Sequence, residues 1–545
     1  MAVDYNLLNY LPAWCYAYGV RHIVFCSGSR SAPLTFSFSR FNKFTCHSII
    51  DERSAGFVAL GLSQSSQSPV VIIVTSGTAV VNLYPAIAEA FYSHTPLIII
   101  TADRPLHQLN IYEGQTIVQS HVFEPHVIGF YQAPSNINSD NFSSFESNLI
   151  DLFNTTKNIK KGPIHINIPF EEPFYPNHDP FHYPQVYDVH LIENNPEFAD
   201  KFEQNLFDKN ILYIAARDNK DDEFEELMKS LSIPILADIT SNLYSTNNIY
   251  SFEAIIRKYG NVITKPDLII SSGRGLVSKI LKNYISTLKD IPHIYISSNG
   301  EIAECTSTAN YFYKGSKISF FKKYLSGFIS NPTYLNEWKQ FEEKACSAIN
   351  SLVSRSGFSE FETMRFVFNS IPESYIVHLA NSMPVRWGQI FFKGNQKVFC
   401  NRGTSGIDGS TSTAIGFAID QPKEQHLLIT GDISFFYDIN AFWQNHFPNN
   451  LKVIVLNNHG GGIFRLIDGP SNQPEVEPLF AMPRQRSIQI SAHSFGIKYF
   501  YVNHISDLEI RFNEFIAYAE IAILEIDTQV EINGDVFELY RQIKY

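Results

Sequence analysis

Apolar residues along this chain gather in short unbroken runs, and most runs are followed by a segment with helical spacing. In the first third, RHIVFC, CHSII, PVVIIV and PLIII are such runs. Runs of four to eight apolar residues bounded by turn residues mark strands buried on both faces. Between them, SAGFVALGLSQ and AVVNLYPAIAEAF carry small and apolar residues at helical intervals, and residues 4 to 18 open the chain in the same way. Strands alternating with helices predict a doubly wound parallel sheet. GPIHINIPFEEPFY is expected to close this unit as an edge strand.

From Pro173 to about Val189 the chain is rich in Pro, Tyr and His and is expected to be an exposed linker. NILYIAA, IPILAD, DLIISSG and HIYISS then repeat the alternation more weakly. A GRG occurs there, but no GxGxxG follows a strand, so no working dinucleotide site is expected. The charged helical stretch from about Phe320 to Phe358 reads as a second connector. SYIVHLAN, KVFCN, HLLIT, KVIVLNN and IAILEID form a third set of strands. The predicted fold is α/β, with three doubly wound parallel-sheet domains at residues 1–183, 190–345 and 359–545.

Composition narrows the function. A chain of 545 residues exceeds what one core serves. A net charge of -12 disfavours a nucleic-acid surface, and any anionic substrate must be drawn by a local cluster of Arg and Lys. The six cysteines are scattered without metal spacing, as in reduced thiols of a cytoplasmic protein. The first residues lack a basic n-region, so no signal peptide is expected. The apolar runs are strand-length, so no membrane insertion is expected either.

The densest candidate chemistry lies between Gly431 and Phe464. HLLIT runs into Gly431–Asp432, and LKVIVL runs into Asn457–Asn458 and the glycines 460 to 462. Both polar signatures fall at the carboxyl ends of expected parallel strands, where open α/β sheets bind ligands. An Asp carboxylate and an Asn carbonyl are hard oxygen ligands, suited to a Mg²⁺ that also holds phosphate oxygens. The glycines would let backbone approach a diphosphate. Taken singly, Asp432 is an ordinary helix cap and Asn-Asn an ordinary loop; together with the glycines they are not. Asp51–Glu52, after CHSII, could likewise do no more than complement a helix N-terminus. The histidines 22, 94, 121 and 126 lack ligand spacing, so structural roles are expected of them.

The Asp432–Asn458 pair resembles the binding motif of thiamine-diphosphate (ThDP) enzymes, with Ile433 in place of the motif's third residue. DERSAGFVALGL, VTSGTAVVNLYPAIAEA, ITADRP, NSMPVRWGQ, NRGTSGIDG and NNHGGGIF extend the resemblance to the ThDP-dependent synthases of menaquinone biosynthesis. That resemblance implies decarboxylation of 2-oxoglutarate and addition of the resulting succinyl unit to isochorismate. It implies Glu52, Arg386 and Arg402 as catalytic residues. Glu52, Ser382, Ile407, Asp432, Asn458, Gly460 and Gly461 would bind the cofactor, with Asp432, Asn458 and Gly460 on Mg²⁺ or Mn²⁺. Ser29, Arg30, Arg104, Gln115, Lys279, Arg386, Arg402, Ile463 and Phe464 would bind substrates. Both substrates are dianions, and arginine forks suit carboxylates. A stiff β-branched Ile407 between two flexible turns would hold the two cofactor rings in a V. The resemblance further implies that Glu52 and Asp432 of one site come from different chains, so a homodimer is the smallest active unit, with a tetramer left open. An acetolactate-synthase-like or 2-oxoacid decarboxylase activity would share Glu52 and the Asp432–Asn458 pair without needing the four arginines. A catalytically idle relative would not need Glu52.

Overall fold

The computed structural model of the chain describes residues 6–109, 111, 113–134, 141–157, 161–172, 181–183, 209–301, 303–325, 331–353, 356–444, 447–465, 470–483, 486–528 and 530–542. The expected linker from Pro173 to Val189 lies almost wholly outside these residues. Three sheets organise the chain. The first contains β1 (His22–Phe25), β2 (Thr45–Ser48), β3 (Val70–Val74), β4 (Leu97–Asp103), β5 (Gly129–Gln132) and β6 (Ile164–Pro169), in the order β2-β1-β3-β4-β6-β5. The second contains β7 (Ile211–Ala215), β8 (Ile235–Ala237), β9 (Leu268–Ser272), β10 (His293–Ser297) and β11 (Tyr311–Lys314), in the order β11-β10-β9-β7-β8. The third contains β12 (Tyr375–Leu379), β13 (Val398–Phe399), β14 (Gln425–Gly431), β15 (Leu451–Asn457), β16 (Lys498–Val502) and β17 (Ala522–Asp527), in the order β13-β12-β14-β15-β17-β16.

Every strand pairing is parallel. The first and third sheets share one strand order, counted from their own first strands. The chain is therefore α/β and built from doubly wound parallel sheets. One expectation is corrected: β6 is not an edge strand, because β5 pairs outside it with Phe130 opposite His165. The stretch Pro332–Val353 is helical, as read, but its Trp338 is fully buried in a core shared by residues of the second and third sheets. Among the described residues, no helix is long and apolar enough to cross a membrane, and all six cysteines are free thiols.

The first and third units meet through two helices, Glu52–Ser66 and Ser410–Asp420. Their residues share a core in which Val58 and Leu62 join Ala414 and Ala418. The crossing is close enough that a Cβ on Gly61 would strike the Thr413 carbonyl, and one on Gly416 would strike the Val58 carbonyl. Backbone cannot yield as a flexible side chain does. Gly61→Ala should therefore cost about 1–3 kcal/mol of stability through overpacking, visible as a lowered melting temperature. An unchanged melting temperature would show that the two helices can separate.

Candidate active site

Asp432 and Asn458 stand where adjacent strands end. β14 and β15 pair with Gly431 opposite Leu456, so the residues that follow them emerge side by side. Asp432 starts the helix Asp432–Tyr437 and is buried. Burial pushes its carboxyl up to about 7, against the pull of the Ile433 and Gly460 N–H groups. Asn458 donates from Nδ2 to Glu360 Oε1 at 2.7 Å. Its carbonyl oxygen is buried and, among the described residues, has no hydrogen-bond partner. A buried acceptor left unpaired is costly, and a hard cation held with Asp432 would satisfy it. The residues present thus fit a Mg²⁺ or Mn²⁺ ion. Gly460 has a φ of +144°, and side chains at 460 and 461 would strike the Ala481 and Phe480 carbonyls. The close approach that demands glycine at these two positions is to the chain's own segment 480–481. His459, with φ +59°, directs Nε2 to Asp527 Oδ1 at 2.7 Å. Ile463 and Phe464 follow on a short 3-10 turn, with the Phe464 ring 5.5 Å from Phe480.

Glu52 opens the helix Glu52–Ser66, but capping falls to its neighbour. Asp51 Oδ1 accepts from the Arg53 and Ser54 N–H groups at 2.8 and 3.3 Å, and Oδ2 accepts from Asn440 at 2.7 Å. Among the described residues Glu52 receives only a 3.4 Å bond from Asn82 Nδ2. It lines a cavity of about 450 Å³ with Ile50, Arg53, Asn82, Asn440 and Trp443. Asp432 and Asn458 do not line it. Around these half-sites Ile50, Ile407, Ile433, Tyr437 and Trp443 are exposed.

The arginines form two groups. Arg30, after β1, is buried and donates to the Phe170 carbonyl at 2.6 Å. Burial, then the neighbouring Arg104 guanidinium, lowers its pKa. Arg104, after β4, reaches Gln108 Oε1 at 3.2 Å and Glu113 at 3.3 Å. Ser29 is exposed, as is Gln115, whose backbone at φ +56° lies against Gly77. In the third unit, Arg386 donates to the Ser382 carbonyl at 2.5 Å. Desolvation and the Arg402 guanidinium lower the Arg386 pKa. Ser382 itself has φ +75° and ψ -125°, a strained conformation for a residue with a side chain. Lys279 is exposed in the first turn of the helix Lys279–Ser286, an end where the helix dipole opposes a cation. Ser278 beside it bonds Glu253, which in turn lies near Arg386.

Several supporting residues escaped the sequence reading. Asn381 accepts from Arg402 at 2.9 Å while donating to the Asn401 and Gly406 carbonyls at 2.7 Å each. Glu89, buried in the first unit, accepts from Gly403 N, Thr404 N and Thr404 Oγ1 at 2.7, 2.6 and 2.8 Å. A carboxylate from one unit thus clamps the arginine loop of another. Ile407 is 37% exposed, so it is no core residue; its carbonyl accepts from Ser434 Oγ at 2.6 Å. Glu89 and Asn381 fall within the segments VTSGTAVVNLYPAIAEA and NSMPVRWGQ, but the partners they hold lie 20 to 315 positions away. Another cavity, about 700 Å³, lies at the strand ends of the second sheet beside Arg217, Arg274 and Lys317 and reaches Cys400, with Arg217 near Glu89 and Arg402.

Asp438 ties the helix Ser410–Asp420 to the loop after Asp432. It is fully buried and accepts from Ser412 N and Oγ at 2.7 and 2.8 Å. Burial raises its carboxyl from 3.8 to about 7, against those two hydrogen bonds. The folded chain therefore favours the protonated form. That contribution is complete below about pH 4 and is lost as pH rises through about 7. Asn at this position carries no such loss. The stability of Asp438→Asn relative to the parent should climb by about 1.4 kcal/mol per pH unit over that window, read from paired thermal melts. A difference that stays flat with pH contradicts this.

Comparison with known proteins extends these observations. Residues 6–126 match the family model described as thiamine pyrophosphate enzyme, N-terminal TPP binding domain, and residues 383–526 match its C-terminal counterpart. The chain is 33% identical over 554 residues to 2-succinyl-5-enolpyruvyl-6-hydroxy-3-cyclohexene-1-carboxylate synthase of Cytophaga hutchinsonii, covering 98% of each chain. It is 36% identical over 537 residues to the synthase of that name from Flavobacterium psychrophilum, covering 96% of each. With that from Porphyromonas gingivalis it is 32% identical over 550 residues, covering 96% of this chain and 94% of the relative.

Proposed function

The chain belongs to the 2-succinyl-5-enolpyruvyl-6-hydroxy-3-cyclohexene-1-carboxylate synthase family of ThDP-dependent transferases, and from this we propose that it joins 2-oxoglutarate to isochorismate with loss of CO₂, in menaquinone biosynthesis. The observation that carries the site assignment is the unpartnered Asn458 carbonyl oxygen beside buried Asp432, at the ends of paired strands. With the Gly460 carbonyl they would hold Mg²⁺ or Mn²⁺ against the diphosphate. Bound ThDP supplies the carbon nucleophile and electron sink that no side chain offers.

The chain's own residues supply orientation, charge and proton control. Glu52, left free by the Asp51 cap, would hold a proton at the aminopyrimidine ring nitrogen. Arg386 and Arg402 would grip the carboxylates of the 2-oxoglutarate-derived unit. Ser29, Arg30, Arg104, Gln115 and Lys279 would orient isochorismate. Ile407, Ile463 and Phe464 would line the apolar side, and water excluded there strengthens every charge contact. Gly460 and Gly461 keep the cation loop close to segment 480–481.

We propose a homodimer from the same residues. Asp432 and Asn458 do not line the cavity that holds Glu52, and Ile50, Ile407, Ile433, Tyr437 and Trp443 are exposed in the same segments. A second copy would cover these side chains and bring Glu52 of one chain to Asp432 of the other. Six free thiols agree with a cytoplasmic enzyme.

The test is isochorismate consumption by purified protein with 2-oxoglutarate, ThDP and Mg²⁺, omitting each in turn. Consumption is expected only in the complete mixture. Release of CO₂ from another 2-oxoacid, with isochorismate untouched, would keep the cofactor assignment and overturn the substrates.

A further inference from the structure

We infer that Glu360 decides which end of the Asn458 side-chain amide faces the cation, and so acts as a positioning residue for the metal site. The inference rests on the reading of Asp432, Asn458 and Gly460 as that site. Glu360 begins the helix Glu360–Ser370 and is 2% exposed. It does not cap that helix: Ser359 Oγ accepts from the Glu362 N–H at 3.3 Å. A carboxyl group buried this deeply is costly unless its oxygens are engaged, and capping does not explain why an acid stands there.

Its two oxygens supply the explanation. Oε2 accepts from Trp387 Nε1 at 2.8 Å, and Oε1 accepts from Asn458 Nδ2 at 2.7 Å. The Glu360 N–H is itself tied to Asn533 Oδ1 at 2.8 Å. The two ends of an asparagine amide have nearly the same shape and differ only in donating or accepting. Because Glu360 takes the NH₂ end, the carbonyl oxygen must face the other way, and that oxygen is buried and has no partner among the described residues. Trp387, an N–H donor with no acceptor, keeps the carboxyl from turning. Gly462 closes a third side, since a Cβ there would lie 2.8 Å from Asn458 Nδ2. The amide is held in one orientation, and only that orientation offers oxygen to a hard cation.

Glu360→Gln tests this directly. A Gln amide can donate to Asn458 Oδ1 instead, which would turn the NH₂ end toward the cation. ThDP binding to the full-length protein is followed by tryptophan fluorescence while MgCl₂ is titrated. The Mg²⁺ concentration for half-maximal binding is expected to rise at least ~10-fold, with excess Mg²⁺ restoring full binding and turnover. The metal-free melting temperature should stay close to that of the parent. Trp387→Phe frees the carboxyl to turn and should shift the midpoint in the same direction by less; it decides the matter if Glu360→Gln does not fold. Unchanged Mg²⁺ midpoints in the folded variants overturn the role of Glu360. If parent ThDP binding needs no divalent cation, the metal-site reading itself falls, and the inference with it.

Discussion

Glu52→Gln is expected to lower turnover by about 10²–10⁴-fold, the range a positioned proton carrier contributes, while ThDP binding and folding persist. Gln keeps the shape of Glu and can hydrogen-bond a ring nitrogen, but it cannot hold and release a proton there. Folding should survive because the helix cap belongs to Asp51, which takes the Arg53 and Ser54 N–H groups and Asn440. Glu52 contributes a single long bond from Asn82. A stopped-flow or discontinuous assay of isochorismate loss, beside a thermal melt and a ThDP titration, separates these effects. Turnover within a few-fold of the parent would remove Glu52 from catalysis. Loss of ThDP binding instead would make it a cofactor clamp.

Arg402→Ala should lower kcat/KM for 2-oxoglutarate by about 10²–10³-fold, because a charge-assisted, two-pronged contact with a carboxylate is lost in a desolvated site. Arg402→Lys should recover only part of this, since a point charge does not reproduce the planar fork. The guanidinium is held in place by its neighbours. Asn381 Oδ1 orients it, Asn381 Nδ2 spans the Asn401 and Gly406 carbonyls, and Glu89 holds Gly403 and Thr404. Truncating Arg402 removes the prong and leaves that scaffold in place, so the melting temperature should change little. Equal kcat/KM in Arg402→Ala and the parent would assign the carboxylate to Arg386 or to the first-unit pair Arg30 and Arg104.

Which parts of the fold and site were legible follows from where their information resides. Central strands such as β3, β4, β14 and β15 are buried along their length, so each is an unbroken apolar run. The strands that were missed, β5, β11 and β16, all lie at the outer end of a sheet. GFYQ, YFYK and KYFYV are largely half-buried or exposed and aromatic, and they match neither a buried run nor a clean alternation. Missing β5 is also what made β6 look like an edge. Asp432 and Asn458 are legible because each directly follows a buried apolar strand, and Glu52 because it stands shortly after the run CHSII. Glu89, Asn381 and Glu360 are not. What they do consists of hydrogen bonds to residues 20 to 315 positions away, and neither an acid in a helix nor an amide in a turn carries a local mark of such a partner. At Gly460 and Gly461 the close backbone approach that the sequence suggests is present toward the chain's own 480–481 segment.

Subunit complementation tests most directly whether one site is assembled from Glu52 of one chain and Asp432–Asn458 of another. Glu52→Gln and Asp432→Asn proteins, each inactive alone, are mixed under conditions of verified subunit exchange. Random pairing makes half the dimers mixed, and each mixed dimer holds one site with both residues intact. Activity should therefore return to about one quarter of the parent value. No recovery after demonstrated exchange would mean that both residues act within a single chain, and the two-chain site would be wrong.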